Sequence, residues 1–198
     1  PDKKVANFAM ENSITGLEFL VCIPGSIGGA IRMNTGCYDS EISQVLHSIK
    51  VIDNNARIKE ILAEDIKFSY RSTNLAENLL ITSVKLKGKQ SIKFKIQKEQ
   101  ETMLERKKNS QPSQIKTCGS TFKNPKNKKA WELIKESNCD NFKVGNAVIS
   151  EKHCNFFVNN ANATSQELEE LINKVKKTVF QKTKIDLELE LKIIGYNK

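Results

Sequence analysis

Four of the nine glycines fall within one short segment that follows an apolar run, residues 23–36, with the sequence IPGSIGGAIRMNTG. Glycine has no Cβ and adopts positive φ readily, so successive backbone N–H groups can turn inward around an anion. The segment therefore indicates a loop that could hold a diphosphate. A tight turn that uses small residues for close packing explains the same glycines equally well. The spacing is not G-x-G-x-x-G, so a Rossmann dinucleotide site is not indicated.

The five cysteines and two histidines offer little metal or disulfide chemistry. The cysteines are odd in number and include no C-x-x-C pair, and His47 and His153 are far apart in the chain. These spacings argue against a disulfide framework and against a zinc site. We expect reduced thiols and no metal centre.

Composition bounds the class of protein. The chain has 198 residues, of which 38% are hydrophobic, enough for one large domain or two small ones with a buried core. No apolar run approaches the roughly 18 residues that span a bilayer, and the N-terminal PDKK has no apolar signal region behind it. We expect a soluble cytoplasmic protein without a membrane partner.

The net charge of +9 favours anionic partners. Lysines are interspersed with acidic residues, and aromatic residues make up only 7% of the chain, so a stacking platform for nucleic acid is not expected. A nucleotide or diphosphate ligand fits the charge, and so does a lysine-rich solvated surface.

The elements that would position these residues mix helices and strands. We predict a hairpin over 51–58, extended segments over 65–70 and 80–86, a connecting helix over 91–108, a short helix over 131–136, a longer helix that begins at the capping box of Thr164 and Glu167, and a strand over 185–193. The last segment alternates apolar and polar residues, which places Asp186, Glu188 and Glu190 on one face. Because helices and strands do not alternate regularly, the pattern indicates an α+β fold with antiparallel or mixed sheets.

Several short motifs occur in an order that resembles one family. They are GLEF at 16–19, IPGSIGG at 23–29, YRS at 70–72, QP at 111–112, GSTFKNP at 119–125, SEKH at 150–153, FFVN at 156–159 and ELKIIG at 190–195. Together they resemble UDP-N-acetylenolpyruvoylglucosamine reductase, the flavoenzyme family of peptidoglycan precursor synthesis. The motifs run through nearly all of the chain.

The resemblance implies a domain organisation. Residues 1–90 correspond to part of a FAD-binding α+β domain, residues 91–183 to an α+β substrate-binding domain with its connecting helix, and residues 184–198 to a C-terminal strand that returns to the FAD-binding lobe. Full-length members also carry an N-terminal FAD lobe with its own glycine-containing phosphate loop, and no counterpart precedes Gly16. The expectation is a monomer if the chain is complete and an association-prone protein if it is truncated.

The resemblance also implies an activity. Family members use FAD and NADPH to reduce the enolpyruvyl ether of a UDP-sugar, UDP-N-acetylglucosamine enolpyruvate, to the lactyl ether, UDP-N-acetylmuramate. The alternative is a truncated, catalytically inactive remnant that keeps only nucleotide-sugar binding.

By match to the family motifs, Ser120 is the proton donor, while Arg71 and Glu190 lie at the carboxylate end of the substrate. The cofactor-binding residues implied are Pro24, Gly25, Ser26, Ile27, Gly28, Gly29, Asn34 and Gly36. The substrate-binding residues implied are Tyr70, Lys108 and Asn124.

Residue chemistry alone leaves alternatives open. An arginine fork suits a carboxylate or enolate, yet Arg71 could equally be a surface arginine and Ser120 a turn serine. Residue type does not separate Glu190 from Asp186 and Glu188. The basic run 106–108 could face the UDP diphosphate or simply solvate a helix end, and Arg32 could bind diphosphate or hinder packing beside the loop.

Overall fold

The structure is a computed structural model that describes residues 1–195, and it divides the chain into two compact units, Pro1–Lys107 and Lys108–Lys198. Both units contain helices and antiparallel strand pairs, which confirms the predicted α+β class. None of the helices within residues 1–195 combines the length and the apolar content that a bilayer-spanning segment needs.

Unit 1 contains four helices and nine strands in chain order. The helices are α1 (Asp2–Glu11), α2 (Ile27–Arg32), α3 (Ile42–Val45) and α4 (Lys93–Ser110), the last of which runs past the unit boundary. The strands are β1 (Ile14–Thr15), β2 (Gly36–Cys37), β3 (Ser40–Glu41), β4 (Leu46–Ile52), β5 (Ile58–Leu62), β6 (Phe68–Ser69), β7 (Ser72–Thr73), β8 (Leu80–Leu86) and β9 (Lys89–Gln90). Two 3-10 helices add Glu18–Cys22 and Ala63–Asp65.

The main sheet of unit 1 has the order β5-β4-β8, and every pair is antiparallel. The predicted hairpin over 51–58 is confirmed as the turn between β4 and β5, where the Asp53 carboxylate accepts hydrogen bonds from the backbone N–H groups of Asn55 and Arg57. The predicted strand over 80–86 is β8. The extended segment predicted over 65–70 is confirmed in part. Ile66 has extended dihedral angles and Phe68 and Ser69 pair with β7, whereas Asp65 ends a 3-10 turn and Tyr70 begins the turn to β7.

Helix α4 confirms the predicted connecting helix, but its contacts place most of it with unit 1. Met103 belongs to the core cluster of unit 1, and the Gln100 amide donates to the carbonyl of Ala6 at 3.1 Å. The boundary between the two units falls after Lys107, within α4, and the domain bounds that the resemblance implies stay a prediction.

Unit 2 contains helices α5 (Ala130–Glu136) and α6 (Ser165–Thr183) and the strands β10 (Thr117–Ser120), β11 (Lys143–Val144), β12 (Ala147–Ile149) and β13 (Phe156–Asn159). Its sheet has the antiparallel order β10-β13-β12-β11. The predicted capping box is confirmed, because the Thr164 hydroxyl accepts from the Glu167 N–H while the Glu167 carboxylate accepts from the Thr164 N–H. The buried stripe of α6 packs in one core with α5 and the sheet.

The strand predicted over 185–193 is wrong as a strand, although its alternation is real. Leu187 is fully buried in the core of unit 2, and Asp186 and Glu188 are exposed. Up to residue 195, the strand pairing of this segment is limited to one bridge between Leu189 and Phe122, which follows β10 in the chain. The alternation of apolar and polar residues indicates which side chains are buried. Here the buried side chains pack on the core of unit 2, although the segment does not form a strand ladder. The rest of the predicted C-terminal strand, residues 196–198, lies outside the described residues.

The Arg32 guanidinium donates hydrogen bonds to backbone carbonyls of the chain. It donates to the carbonyl of Ala76 from both terminal nitrogens at 3.1 Å and also to the carbonyl of Leu79, so it fixes the segment that precedes β8. We expect Arg32→Met to lower the free energy of unfolding by about 2 kcal/mol, because charge-assisted hydrogen bonds are lost while the aliphatic stem is kept. Urea unfolding measures this change. The exposed Arg57 supplies the control, and equal losses for Arg32→Met and Arg57→Met would contradict the assignment.

Candidate functional site

The glycine-rich loop of unit 1 begins where a fully buried 3-10 helix ends at Cys22. Pro24, Gly25 and Ser26 are exposed, and Gly25 has a φ of +142°, a conformation that other residues rarely adopt. Ser26 caps helix α2, because its hydroxyl accepts from the N–H of Gly29 at 3.4 Å. The loop therefore presents exposed backbone at the start of a short helix.

Of the remaining glycines of the segment, only Gly36 is explained by close packing. A Cβ on Gly36 would lie only 2.3 Å from the carbonyl oxygen of Ser40, whereas one on Gly28 would lie 3.6 Å from the Cβ of Ile81, an ordinary van der Waals distance. Glycine is thus required at position 36 by the close β2–β3 turn. Gly25 thus serves backbone conformation and Gly36 serves close approach, and diphosphate binding by the loop stays a prediction.

Asn34 is a structural residue in this arrangement. It is 1% exposed, its amide nitrogen donates to the Ser69 carbonyl at 3.2 Å, and its amide oxygen accepts from the Ser43 N–H at 3.0 Å. These two bonds join α3 to the β6–β7 turn. A direct contact of Asn34 with a cofactor stays a prediction.

Arg71 lies in the two-residue turn between β6 and β7 and has a φ of +55°. Its guanidinium donates to the carbonyl of Gly36 at 3.0 Å, and its central carbon lies 5.0 Å from the centre of the Tyr70 ring. The structure therefore brings Arg71 and Tyr70 together with the end of the glycine-rich segment.

The basic run 106–108 is partly engaged within the protein. The Arg106 guanidinium lies 4.3 Å from the centre of the Tyr38 ring, and the Lys107 ammonium donates to the Cys22 carbonyl at 2.6 Å. The carbonyl of Lys108 accepts from the Lys152 ammonium at 2.5 Å within unit 2. Lys108 itself is exposed.

Ser120 and Glu190 lie on neighbouring segments of unit 2. Ser120 ends β10, directly after Gly119, which has a φ of +84° and open space where a Cβ would be. The backbone N–H of Glu190 donates to the carbonyl of Thr121 at 2.9 Å. Both side chains are half-buried. The structure therefore places the predicted proton donor and the predicted acidic residue on segments joined by a backbone hydrogen bond.

The three carboxylates that the sequence left equivalent have different surroundings. Glu188 pairs with Lys123 at 2.5 Å and Asp186 with Lys176 at 3.3 Å, and both carboxylates are largely exposed. Glu190 is half-buried and directly follows Leu189, which forms a bridge with Phe122. Glu190 is thus distinguished from the other two by position and burial.

Asn155 is a buried residue of this site that motif spacing does not reveal. It is 3% exposed, its amide oxygen accepts from the N–H of Phe122 at 3.0 Å, and its amide nitrogen donates to the carbonyl of Phe122 at 2.8 Å. It therefore clamps the backbone just after Ser120. A single asparagine before the FFVN motif gave no periodic or spacing signal by which it could have been found.

Asn124 also has a structural role, because its amide oxygen accepts from the N–H of Ala130 at the start of α5.

Close to that helix lies a cavity of about 550 Å³ that is lined by Ser110, Trp131, Lys135, Asp140, Asn141, Ser150, Glu151, Lys152, His153 and Cys154. A larger groove of about 1000 Å³ lies between α6 and the segment after Glu190. Within residues 1–195, no group of three His, Cys, Asp or Glu side chains could hold a metal ion.

His153 is held as a neutral imidazole. Its Nδ1 accepts from the N–H of Asn155 at 3.3 Å, its ring meets that of Phe156 edge to face, and burial lowers its pKa. The unfolded chain then binds more protons than the folded chain below the ordinary histidine pKa, so acidification destabilises the protein.

We therefore expect acidification from about pH 7.5 to about pH 5.5 to lower the Tm of the native protein more than the Tm of His153→Gln. Histidine titrates in this pH range. Thermal unfolding of both proteins at the two pH values measures the difference. The exposed His47 supplies the control, since His47→Gln should keep the native pH dependence. A native-like fall in His153→Gln would contradict this role.

Comparison with known proteins reveals extensive similarity. A family model described as UDP-N-acetylenolpyruvoylglucosamine reductase, C-terminal domain, matches residues 111–194. The chain is 46% identical over 196 residues to UDP-N-acetylenolpyruvoylglucosamine reductase of Pelagibacter ubique, which covers 98% of this chain and 65% of that protein. It is 44% identical over 192 residues to the protein of the same name in Wolbachia pipientis, with 96% and 65% covered.

A solved structure is also similar. The crystal structure of UDP-N-acetylenolpyruvylglucosamine reductase (MurB) from Thermus caldophilus aligns with a TM-score of 0.86 at 31% identity, over 96% of this chain and 68% of that chain. The chain thus spans about 65% of the length of the two sequence relatives.

Proposed function

Because this chain belongs to the UDP-N-acetylenolpyruvoylglucosamine reductase family, we propose that it carries out the NADPH-dependent, FAD-mediated reduction of UDP-N-acetylglucosamine enolpyruvate to UDP-N-acetylmuramate. This reaction is a step of peptidoglycan precursor synthesis, and a cytoplasmic location is part of the same proposal. The observation that carries it is the hydrogen bond from Glu190 N–H to the Thr121 carbonyl, which sets the two unit 2 motifs side by side.

The glycine-rich loop fits a bound FAD diphosphate. Gly25 has the positive φ that lets a backbone turn toward an anion, and Pro24 to Ser26 are exposed. The diphosphate would be held by the backbone N–H groups of Gly25, Ser26, Ile27 and Gly28. Asn34 and Gly36 would stabilise the conformation of the glycine-rich segment. When bound, reduced FAD would supply the hydride to the alkene.

Side chains of this protein would supply the proton and stabilise the negative charge that develops during the reduction. The alkene carbon next to the carboxylate must gain a proton, and the negative charge that develops there spreads into the carboxylate. A serine hydroxyl is a weak acid that can protonate such a strongly basic carbon when in direct contact, and Ser120 is proposed for this role. The permanently charged guanidinium of Arg71 would stabilise the carboxylate and its enolate form, with Glu190 at the same end.

The substrate would be held by Tyr70, Asn124 and Lys108. The cavity of about 550 Å³ in unit 2 supports a nucleotide-sugar ligand, because an exposed Trp131 offers a stacking surface and Lys135 and Lys152 offer positive charge. Lys152 also contacts the backbone of Lys108, which places that predicted substrate residue near the rim of the cavity.

A second candidate is a protein that binds the nucleotide sugar without reducing it. The observation that favours it is the cavity of about 550 Å³, whose lining residues, Trp131, Lys135 and Lys152 among them, all belong to unit 2. Titration of the purified chain with FAD and with UDP-N-acetylglucosamine enolpyruvate separates the two. Retained flavin, seen as absorbance near ~450 nm, together with sugar binding supports the reductase. Sugar binding by a colourless protein supports the second candidate, and binding of neither ligand contradicts both.

A further inference from the structure

Asn155 lies directly before β13, at the point where the pairing of β13 with β10 ends. Ser120 is paired with Phe156, the first residue of β13, and the next N–H along the chain, that of Thr121, donates to the Asn155 carbonyl at 2.8 Å. The backbone that precedes Phe156 forms a turn. The backbone pairing from this strand therefore ends one residue before Phe122.

The side chain of Asn155 continues this pairing by one more residue. Its amide oxygen accepts from the Phe122 N–H at 3.0 Å, and its amide nitrogen donates to the Phe122 carbonyl at 2.8 Å. A carboxamide carries the same kinds of donor and acceptor as a peptide group, so it can replace a residue of a neighbouring strand. Because Asn155 and Phe122 are both buried, water competes little for these two hydrogen bonds.

The opposite edge of the same short segment carries Glu190. The Thr121 carbonyl accepts from the Glu190 N–H at 2.9 Å, and the Lys123 N–H donates to the Glu188 carbonyl at 2.8 Å. The three residues from Thr121 to Lys123 therefore lie between Asn155 on one edge and the segment of Glu190 on the other. A shift of this short segment would change the position of both neighbours.

The backbone before Ser120 is irregular. The pairing of β10 with β13 shifts register between Thr117 and Ser120, and Gly119 has a φ of +84° with open space where a Cβ would be. Glycine restricts the conformation of a chain less than any other residue type. The position of Ser120 therefore depends strongly on the residues that follow it, which Asn155 holds in place.

We propose that Asn155 is a positioning residue for the proton transfer by Ser120, an inference that rests on the proposed function. By fixing the backbone of Phe122, the Asn155 amide holds Ser120 in register with the segment that carries Glu190. A displacement of a reacting group by about 1 Å can lower a rate about 10²-fold. Asn155 thus acts through Ser120 and does not itself contact the substrate.

The test variant is Asn155→Leu, which removes both amide hydrogen bonds and keeps a side chain of similar size. With FAD, NADPH and UDP-N-acetylglucosamine enolpyruvate, it should lower kcat about 10²-fold and change KM by less than about threefold. In the double variant with Ser120→Ala, the loss should be at least about tenfold smaller than the product of the two single losses, because an absent donor cannot be misplaced. Asn159→Leu is the control, since it removes an amide bond to the Ala163 carbonyl at the far end of β13 and should keep kcat within about threefold.

Amide hydrogen exchange, followed by NMR, supplies a readout that needs neither flavin nor nucleotide sugar. In Asn155→Leu the Glu190 N–H should exchange more than about tenfold faster relative to the N–H groups of the buried stripe of α6. Asn159→Leu should leave this ratio unchanged. Asn155→Ser has a smaller side chain that leaves room for a water molecule at Phe122, and it should show both effects in the same direction if Asn155→Leu does not fold.

The outcomes separate this inference from the proposed function. An active native chain whose two single losses simply multiply in the double variant would overturn the inference alone. Unchanged exchange of the Glu190 N–H in a folded Asn155 variant would do the same. A native chain that forms no lactyl ether would overturn the proposed function and, with it, this inference.

Discussion

Ser120→Ala should lower the rate of lactyl ether formation by about 10³-fold, within the range that a single positioned proton donor contributes. The affinity for the UDP-sugar should change by less than about threefold, since the hydroxyl acts on charge that develops only in the transition state. The fold should be unaffected, because no hydrogen bond of this hydroxyl is found within residues 1–195. Product formation by chromatography and binding by calorimetry measure the two effects.

The matched control for this variant is Ser113→Ala, which removes an exposed hydroxyl from the same unit. It should leave both the rate and the affinity unchanged. A loss of less than about tenfold in Ser120→Ala would assign the proton to another group, because general acids contribute more than that. An equal loss in both variants would point to a general effect on unit 2.

Glu190→Gln should lower the same rate by about 10²-fold, the lower end of the range for a group that takes part in proton transfer. Glutamine keeps the shape and the half-buried position but can neither carry the negative charge nor exchange a proton. The backbone hydrogen bond to Thr121 does not involve the side chain, so the segment should stay in place. Steady-state rates at saturating substrate measure the effect.

Glu188→Gln is the control on the adjacent outward position. It removes the ion pair between Glu188 and Lys123. Because the Glu188 side chain is 72% exposed, both the free energy of unfolding and the rate should change little. If Glu188→Gln lowers the rate as much as Glu190→Gln, the selection of Glu190 among the three carboxylates is wrong.

Local signals explain why much of the fold was predictable. The capping box of Thr164 and Glu167 fixes the start of α6 through bonds between residues three apart, and Asp53 fixes a hairpin within five residues. The strand predicted after Thr183 was wrong because alternation carries no information about a partner strand. Its single bridge to Phe122 depends on residues far away in the sequence.

The candidate site was predictable in its residues but not in their individual roles. Glycine richness did not tell that Gly25 needs positive φ whereas Gly36 needs close approach, because the second requirement comes from Ser40. The bond from Arg71 to Gly36 spans 35 positions. Asn155 clamps Phe122 across 33 positions and carried no local signal at all.

The charges around the site also required the fold. Arg32 stands beside the loop in sequence, yet it bonds carbonyls more than 40 positions away, including that of Ala76. Glu188 and Glu190 look alike in the sequence, whereas in the structure Glu188 pairs with the distant Lys123 and Glu190 is half-buried. Ion pairs and buried hydrogen bonds are formed between residues distant in the chain, so motif spacing does not define them.

We propose that this chain reduces an enolpyruvyl ether by adding a hydride to one alkene carbon and a solvent-exchangeable proton to the other. Incubation of the chain with FAD, NADPH and UDP-N-acetylglucosamine enolpyruvate in D₂O tests this directly by mass spectrometry and NMR of the product. We predict lactyl ether with one deuterium on the carbon next to the carboxylate and one NADPH consumed for each product molecule. Absence of product, or product without deuterium at that carbon, would contradict the assignment.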